Sequence, residues 1–305
     1  MPKADMLMKL LKSNNKGFNT VLQQVKIISA SDGNCQATFK VSPDSVNMFG
    51  TLHGGISATL VDVISSLALK SHPLGDRKSV STDIHMTYLK SAAIGEEILI
   101  NVKPLKVGKQ IAQLYVEILN NANKDLLVKG MHTKFLMADK IKDIMKLNRR
   151  MQLVFLIVIG SQLINKMPKA DFIMKMINQC KGFDALTKNV KYLSANNGNC
   201  QATLKVEPEH TNPLGGLHGG FSATLVDIVS SMALVTHKYG EVPSVSVDMH
   251  MSYLKSATVG DELVINAKTL RVGKTLAFLE VEILNNATKD LLVKGSHTKF
   301  LMKPK

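Results

Sequence analysis

The chain has no tryptophan, and aromatic residues make up only 5% of its 305 positions. Stacking platforms for single-stranded nucleic acid are therefore scarce, and that class of partner is set aside. Cysteine is equally sparse: Cys35, Cys180 and Cys200 show no CxxC spacing, and an odd count builds no secreted disulfide framework. A reducing compartment fits. The start, MPKADMLMKLLKSNNKGF, lacks the long apolar core of a secretory signal, while its short basic amphipathic character keeps a mitochondrial address open beside a cytoplasmic one. The nine histidines form no HxH or HExxH motif, so no metal is expected, and His85 and His132 read as strand or surface residues. There is no G-x-S-x-G elbow, which argues against a serine-hydrolase triad. The apolar run Leu153–Ile159 is too short to cross a bilayer, and no integral membrane segment is expected.

What the chain does have is 45% hydrophobic residues, enough for sizeable cores, and a net charge of +14 from lysines spread along its length. Such a surface suits anionic partners, among them phosphorylated cofactors, although charge alone does not choose between them. It also has a repeat: Gly17–Met137 matches Gly182–Met302 at one constant offset with no gap. We read two domains, residues 1–137 and 167–305, joined by a linker over 138–166. Met167 reopens with MPKAD, the first five residues of the chain, so the linker fits a tether and a gene-fusion junction equally.

Within each copy the pattern predicts a short helix near Lys9–Lys12 and a hairpin of VKIISA and NCQATFKV turning at Asp32-Gly33-Asn34. A long helix follows from about Gly54 to Ser71, then SVSTDIHMTYL, a hairpin hinged near Gly108, and DLLVKGMHTKFLM as strands. One helix among five or six antiparallel strands predicts an α+β layer with the sheet curled around the helix. Cys35 and Cys200 fall at matching places in the first hairpin, as small buried hydrophobes rather than nucleophiles.

The helix is apolar nearly all round, with one ordered exception. Ala58, Thr59, Asp62, Ser65 and Ser66 share a face at i, i+3, i+4, i+7 spacing, and the second copy keeps the set as Ala223, Thr224, Asp227, Ser230 and Ser231. Burying a carboxylate costs several kcal/mol unless it is paired, so this helix needs a reason to keep its acid. At the helix start, Gly54 and Gly55 fit two roles: free N–H groups that favour developing negative charge, or glycines that permit close packing. His53 before them fits a general base, an orienting donor or a cap. Eight residues of helix put Gly54 and Asp62 roughly 12 Å apart, too far to serve one carbonyl. If both serve one reaction, the acid must come from an antiparallel second helix, so that Gly54 faces Asp227 and Gly219 faces Asp62.

The run N-x-x-G-x-L-H-G-G-x-x-A-T-L-V-D, with its following SVS and Tyr-Leu-Lys-Ser, resembles the hotdog-fold acyl-coenzyme A thioesterases over about residues 5–137 and 171–302. The resemblance implies two hotdog domains, each a long central helix wrapped by a curled antiparallel sheet, with active sites at their interface. It also implies that Asn47 and the Gly54 amide polarise a thioester carbonyl with His53 fixing the geometry, while Asp227 and Ser246 hold the attacking water. The mirror site would take Asn212, His218 and Gly219 with Asp62 and Ser81. Strand alternation by itself puts Ser81 opposite the Val80, Thr82, Ile84 face. The second copy departs in having Gly216 where the first has Thr51, a change expected to loosen the loop before its HGG. Coenzyme A would lie along Tyr88, Leu89, Lys90, Ser91 and the hairpin Lys106, Gly108, Lys109, and in the second copy along Tyr253, Leu254, Lys255, Ser256 with Arg271, Gly273, Lys274.

The implied activity is hydrolysis of medium- to long-chain fatty acyl-coenzyme A to free acid and coenzyme A by aspartate-activated water. No cofactor is expected, since coenzyme A belongs to the substrate. Expected partners are the acyl-coenzyme A substrate, the other copy within the chain, and a second chain giving four hotdog domains. Two rivals share the thioester cradle: an enoyl-coenzyme A hydratase of the same fold, and a non-catalytic acyl-coenzyme A binding scaffold.

Overall fold

The computed structural model describes residues 3–13, 17–137 and 183–302. The linker expected over 138–166 and Cys180 lie outside the described residues. Helix α1 (Lys3–Ser13) is followed by a 3-10 turn (Gly17–Leu22) and the hairpin β1 (Lys26–Ser31) and β2 (Asn34–Lys40). The hairpin turns through Asp32 and Gly33, whose φ angles of 51° and 86° suit a two-residue turn that twists with its strands. Helix α2 (Gly54–Lys70) comes next, then β3 (Ser79–Tyr88), β4 (Glu97–Val107), β5 (Ile111–Asn120) and β6 (Leu126–Leu136). The second copy repeats the order with a 3-10 turn (Phe183–Thr187), β7 (Lys191–Asn196), β8 (Asn199–Lys205), α3 (Gly219–Thr236), β9 (Ser244–Tyr253), β10 (Glu262–Val272), β11 (Leu276–Asn285) and β12 (Leu291–Leu301).

The strands form one antiparallel sheet in the order β1-β2-β4-β5-β6-β3-β9-β12-β11-β10-β8-β7. Its two halves join where β3 pairs with β9, centred on His85 opposite His250. Each half wraps its own helix. Ile56, Leu60, Val61, Ile64, Ala68 and Leu69 of α2 are all buried against the inner face of the sheet. Helix α3 is long and apolar enough to cross a membrane, but it lies mostly buried in its half of the sheet, so its composition is that of a core helix.

The two helices pack against each other across the copy boundary and run antiparallel, as matched contacts show. A Cβ on Gly55 would lie 2.5 Å from Thr224 Oγ1, and one on Gly220 would lie 2.4 Å from Thr59 Oγ1. The 3-10 turns also cross: Phe18 N donates to the Thr211 carbonyl (3.1 Å), and Phe183 N to the Val46 carbonyl (3.2 Å). Gly17 makes the first crossing possible, with φ of 60° and a Cβ position 2.3 Å from Thr211 O.

Candidate active site

Two clusters form where the start of one helix meets the middle of the other. His53 is the N-cap of α2, and its Nδ1 accepts the Gly55 N–H at 2.8 Å. The next residue inward faces the other copy, because a Cβ on Gly54 would stand 2.9 Å from Asp227 Oδ2. The mirror arrangement caps α3 with His218, whose Nδ1 accepts the Gly220 N–H at 2.9 Å, and brings the Gly219 Cβ position to 2.8 Å from Asp62 Oδ2. The two roles open to the glycines thus divide between them: the second glycine of each pair permits helix packing, and the first faces the acid.

The acids are buried but surrounded. Around Asp227 stand His53 Nδ1 (3.8 Å), Lys299 Nζ (3.6 Å) and His297 Nε2 (3.9 Å). Around Asp62 stand His218 Nδ1 (3.6 Å), His132 Nε2 (3.8 Å) and the Ser81 hydroxyl, which donates at 3.2 Å. Burial pushes each carboxyl up, yet the neighbouring charges outweigh it, and both pKa values fall below the ordinary carboxylate value. His132 and His297 are pushed down to about 3 by burial and by the adjacent Lys134 and Lys299, so they stay neutral. Lys134 donates to Ser66 (2.8 Å) and Ser81 (3.3 Å), and Lys299 to Ser231 (2.8 Å), each serine hydroxyl in turn bonding its own helix or sheet neighbours.

Ser81 reaches the inner face by an irregularity. In the ladder with β6, Ser81 opposes Lys134 and Asp83 opposes Thr133, so Thr82 is an extra residue. This β-bulge shifts the alternation, turning Ser81 to the side of buried Ile84 instead of opposite it. The expectation from unbroken alternation fails for that reason. The second copy repeats the bulge, with Ser246 opposite Lys299 and Asp248 opposite Thr298, and there His297 Nε2 lies 2.9 Å from Ser246 Oγ.

Asn47 and Asn212 sit in the loops before each HGG. Asn47 Oδ1 accepts Phe49 N (2.9 Å), Thr51 N (3.3 Å) and Thr51 Oγ1 (3.2 Å), which points its NH2 group away from its own loop. Asn212 Oδ1 accepts Leu214 N and Gly216 N, and Asn212 N meets the Gly216 carbonyl at 2.8 Å just as Asn47 N meets Thr51 O at 2.9 Å. Gly216 therefore removes the hydroxyl bond that Thr51 gives Asn47, while the Asn212 NH2 group donates instead to the Leu217 carbonyl at 3.4 Å, and the backbone closure stays intact.

The residues expected along coenzyme A divide. Tyr88 and Tyr253 belong to the buried clusters: their hydroxyls donate to the Gly54 and Gly219 carbonyls at 3.1 and 3.0 Å. Burial and the nearby Asp227 and Asp62 keep these phenols protonated, with pKa values well above ordinary. Leu89, Ser91, Leu254 and Ser256 are exposed, and Lys90 and Lys255 pair with Asp125 (2.8 Å) and Asp290 (2.7 Å). Lys106, Gly108 and Lys109 line an open hollow of about 630 Å³ with Gln110, Ile111 and Gln113, and Arg271 and Lys274 are exposed beside Gly273 at the matching hairpin. Cys35 and Cys200 are buried, their thiols pushed up to about 12, which leaves them unreactive.

Sequence reasoning missed His132, Lys134, His297 and Lys299. The period of β6 carried the signal, because Gly130, His132, Lys134 and Leu136 alternate onto the buried face. It also missed the 3-10 turns, from which Asn19 reaches His218 Nε2 (3.0 Å) and Asp184 reaches His53 Nε2 (2.8 Å).

The thioesterase superfamily model matches residues 49–126 and 214–291, the stretches from each HGG loop into β6 and into β12. The chain belongs to the thioesterase superfamily. It is similar to the acyl-coenzyme A thioesterase 13 of Mus musculus, 46% identical over 129 residues, which cover 42% of this chain and 91% of that protein. Acyl-coenzyme A thioesterase 13 of Homo sapiens is 43% identical over the same length and share. A solved structure of a candidate thioesterase from Novosphingobium aromaticivorans covers 91% of this chain and 98% of its own at a TM-score of 0.60 and 14% identity, a likeness of fold across both copies. This thioesterase is thus a tandem pair of hotdog domains and a thioester hydrolase.

Proposed function

We propose that the protein hydrolyses medium- to long-chain fatty acyl-coenzyme A to the free acid and coenzyme A, at two centres that each draw residues from both copies. The observation that carries this reading is the mutual facing of each HGG helix start and the other copy's ionised aspartate. In the first centre His53 occupies the Gly55 N–H, so the Gly54 N–H and the Asn47 NH2 group are the donors for the substrate oxygen. Asp227, kept as a carboxylate, takes a proton from water as the water oxygen attacks the carbonyl carbon, and Ser246 helps to hold that water. The oxyanion then collapses, the C–S bond breaks, and the departing thiolate receives the proton. Asn212, His218, Gly219, Asp62 and Ser81 act the same way in the second centre.

The similar acyl-coenzyme A thioesterase 13 proteins support the substrate class. Lysine and glycine around the hollow at Lys106–Lys109 suit the phosphates of coenzyme A. A hollow of about 290 Å³ lined by Met8, Leu11, Leu22 and Val25 reaches Asn19 beside His218 and offers room for an acyl chain. The reading extends to a pair of chains holding four hotdog domains, which light scattering of the intact protein tests. The decisive assay is thiol release from acyl-coenzyme A of graded chain length. Asp62→Asn and Asp227→Asn should each retain about half the activity and the double variant close to none; a fully active double variant would refute the aspartate mechanism.

A further inference from the structure

The two centres match residue for residue in their acids, lysines, tyrosines and buried histidines, but the partner of the capping histidine differs. His53 Nε2 meets the Asp184 carboxylate at 2.8 Å, whereas His218 Nε2 meets the Asn19 amide oxygen at 3.0 Å. Asn19 and Asp184 are equivalent positions of the repeat, each delivered to the other copy by its 3-10 turn. We propose that this exchange makes the two centres chemically unlike, with Asp184 acting as a positioning residue that works through His53. The proposal rests on the hydrolase reading above.

The hydrogen-bond geometry isolates the difference. Both histidines accept a glycine N–H at Nδ1, so both are neutral with the proton on Nε2, donating to the oxygen opposite. Protonating either one sacrifices the same capping bond. What differs is the reward at Nε2: a charge-assisted bond to a carboxylate against a bond to a neutral amide. The charged and titratable groups around each acid otherwise correspond, while the Ser81 hydroxyl adds a bond to Asp62 at 3.2 Å. His53 faces Asp227, with Lys299 and His297 beyond that acid and Tyr88 on the Gly54 carbonyl. His218 faces Asp62, with Lys134 and His132 beyond it and Tyr253 on the Gly219 carbonyl.

One more group differs. His218 N donates to the His210 carbonyl where His53 N donates to that of Ser45, and the His210 ring stacks on Phe221 at 4.4 Å. Burial holds His210 below its ordinary pKa, so it contributes no charge near neutrality.

The directions of the histidine shifts agree with the geometry. Burial lowers both, but the Asp184 bond and the Asp227 charge raise His53 above the ordinary histidine value, while His218, with Asp62 alone to raise it and Lys134 opposing, ends below. As pH falls, His53 therefore protonates first. Its new Nδ1–H turns from the Gly55 amide to Asp227, which weakens that carboxylate as a base. The His53 centre closes while the His218 centre still turns over, so the duplicated enzyme keeps turnover from the His218 centre at acid pH values where the His53 centre is silent.

The test combines two readouts on the full chain. Imidazole resonances of His53 and His218 are followed by NMR against pH in the wild type, Asp184→Asn and Asn19→Asp. Thiol release from an acyl-coenzyme A is profiled against pH in Asp62→Asn, which leaves the His53 centre, and in Asp227→Asn, which leaves the His218 centre. We expect the His53 midpoint to lie above that of His218, Asp184→Asn to bring it down, and Asn19→Asp to bring the His218 midpoint up. The acid limb of each surviving centre should move with its histidine. Coincident midpoints, or a His53 midpoint indifferent to Asp184→Asn, would overturn the proposal. Failure of the hydrolase reading shows separately, as absent thiol release with the midpoints still measurable, and Asn19→Asp decides the matter should Asp184→Asn not fold.

Discussion

Asp62 and Asp227 show how a buried charge is kept. Each sits in an apolar helix, and desolvation alone would neutralise it, yet His218 and Lys134 around Asp62, and Lys299 and His53 around Asp227, hold it ionised. Removing the cation strands the anion. Lys299→Met should therefore destabilise the fold by about 3 kcal/mol, as expected for a broken buried pair, and move the acid limb of the Asp227 centre upward, because the carboxyl loses the charge that depressed it. Denaturant melts and pH–rate profiles read both effects. The pH dependence of stability follows from the same groups. His132 and His297 are neutral in the fold down to about 3 but protonate from their ordinary 6.5 in the unfolded chain. The unfolded chain thus binds more protons between those values, and stability falls as pH drops through that window. The depressed aspartates add to the loss at the acid end, since their contribution is complete above the ordinary carboxylate range and disappears as pH falls through the folded values. Thermal melts from pH 7 to pH 4 should show a steady fall in Tm that shrinks in His132→Gln plus His297→Gln.

At the scale of the element, the helix start and the helix pair carry the site. The glycines predict a division of effects. Gly55→Ala puts a methyl group against Thr224 and Phe183, so it should cost about 1–3 kcal/mol through overpacking. Gly54→Ala presses on the Asp227 carboxylate and should abolish turnover at that centre with a smaller effect on stability. Comparing Tm with residual thiol release separates the two. Much of this element was legible beforehand: the apolar run, its polar stripe and the rise per residue already required an acid from an antiparallel partner. The position of Ser81 was not, because one extra residue in β3 reverses the alternation, and nothing in SVSTDIHM marks the bulge. The lysines were legible in principle, as period-2 alternation in KGMHTKFL puts Lys134 on the core face. The crossing of Asn19 and Asp184 depends on where short 3-10 turns land on another domain, which local sequence does not encode.

For the whole molecule, the duplication builds within one chain what two copies would otherwise supply. A single sheet runs through the β3–β9 seam, and α2 packs on α3 across it, so the copies should unfold together. Calorimetry is expected to show one transition for the region spanning both copies; two well-separated transitions would mean that the seam contributes little. The seam pairs His85–Asp248 and His250–Asp83 are about half exposed, and their loss should change stability by no more than about 1 kcal/mol. The claim with most at stake is that each centre is shared between copies, and paired substitutions test it directly. Gly54→Ala with Asp227→Asn damages one centre twice, whereas Gly54→Ala with Asp62→Asn damages both centres once. Thiol release should stay near half in the first variant and vanish in the second. The reverse, half activity when both changes fall in the first copy and none when they are split between copies, would show that each copy carries its own complete site.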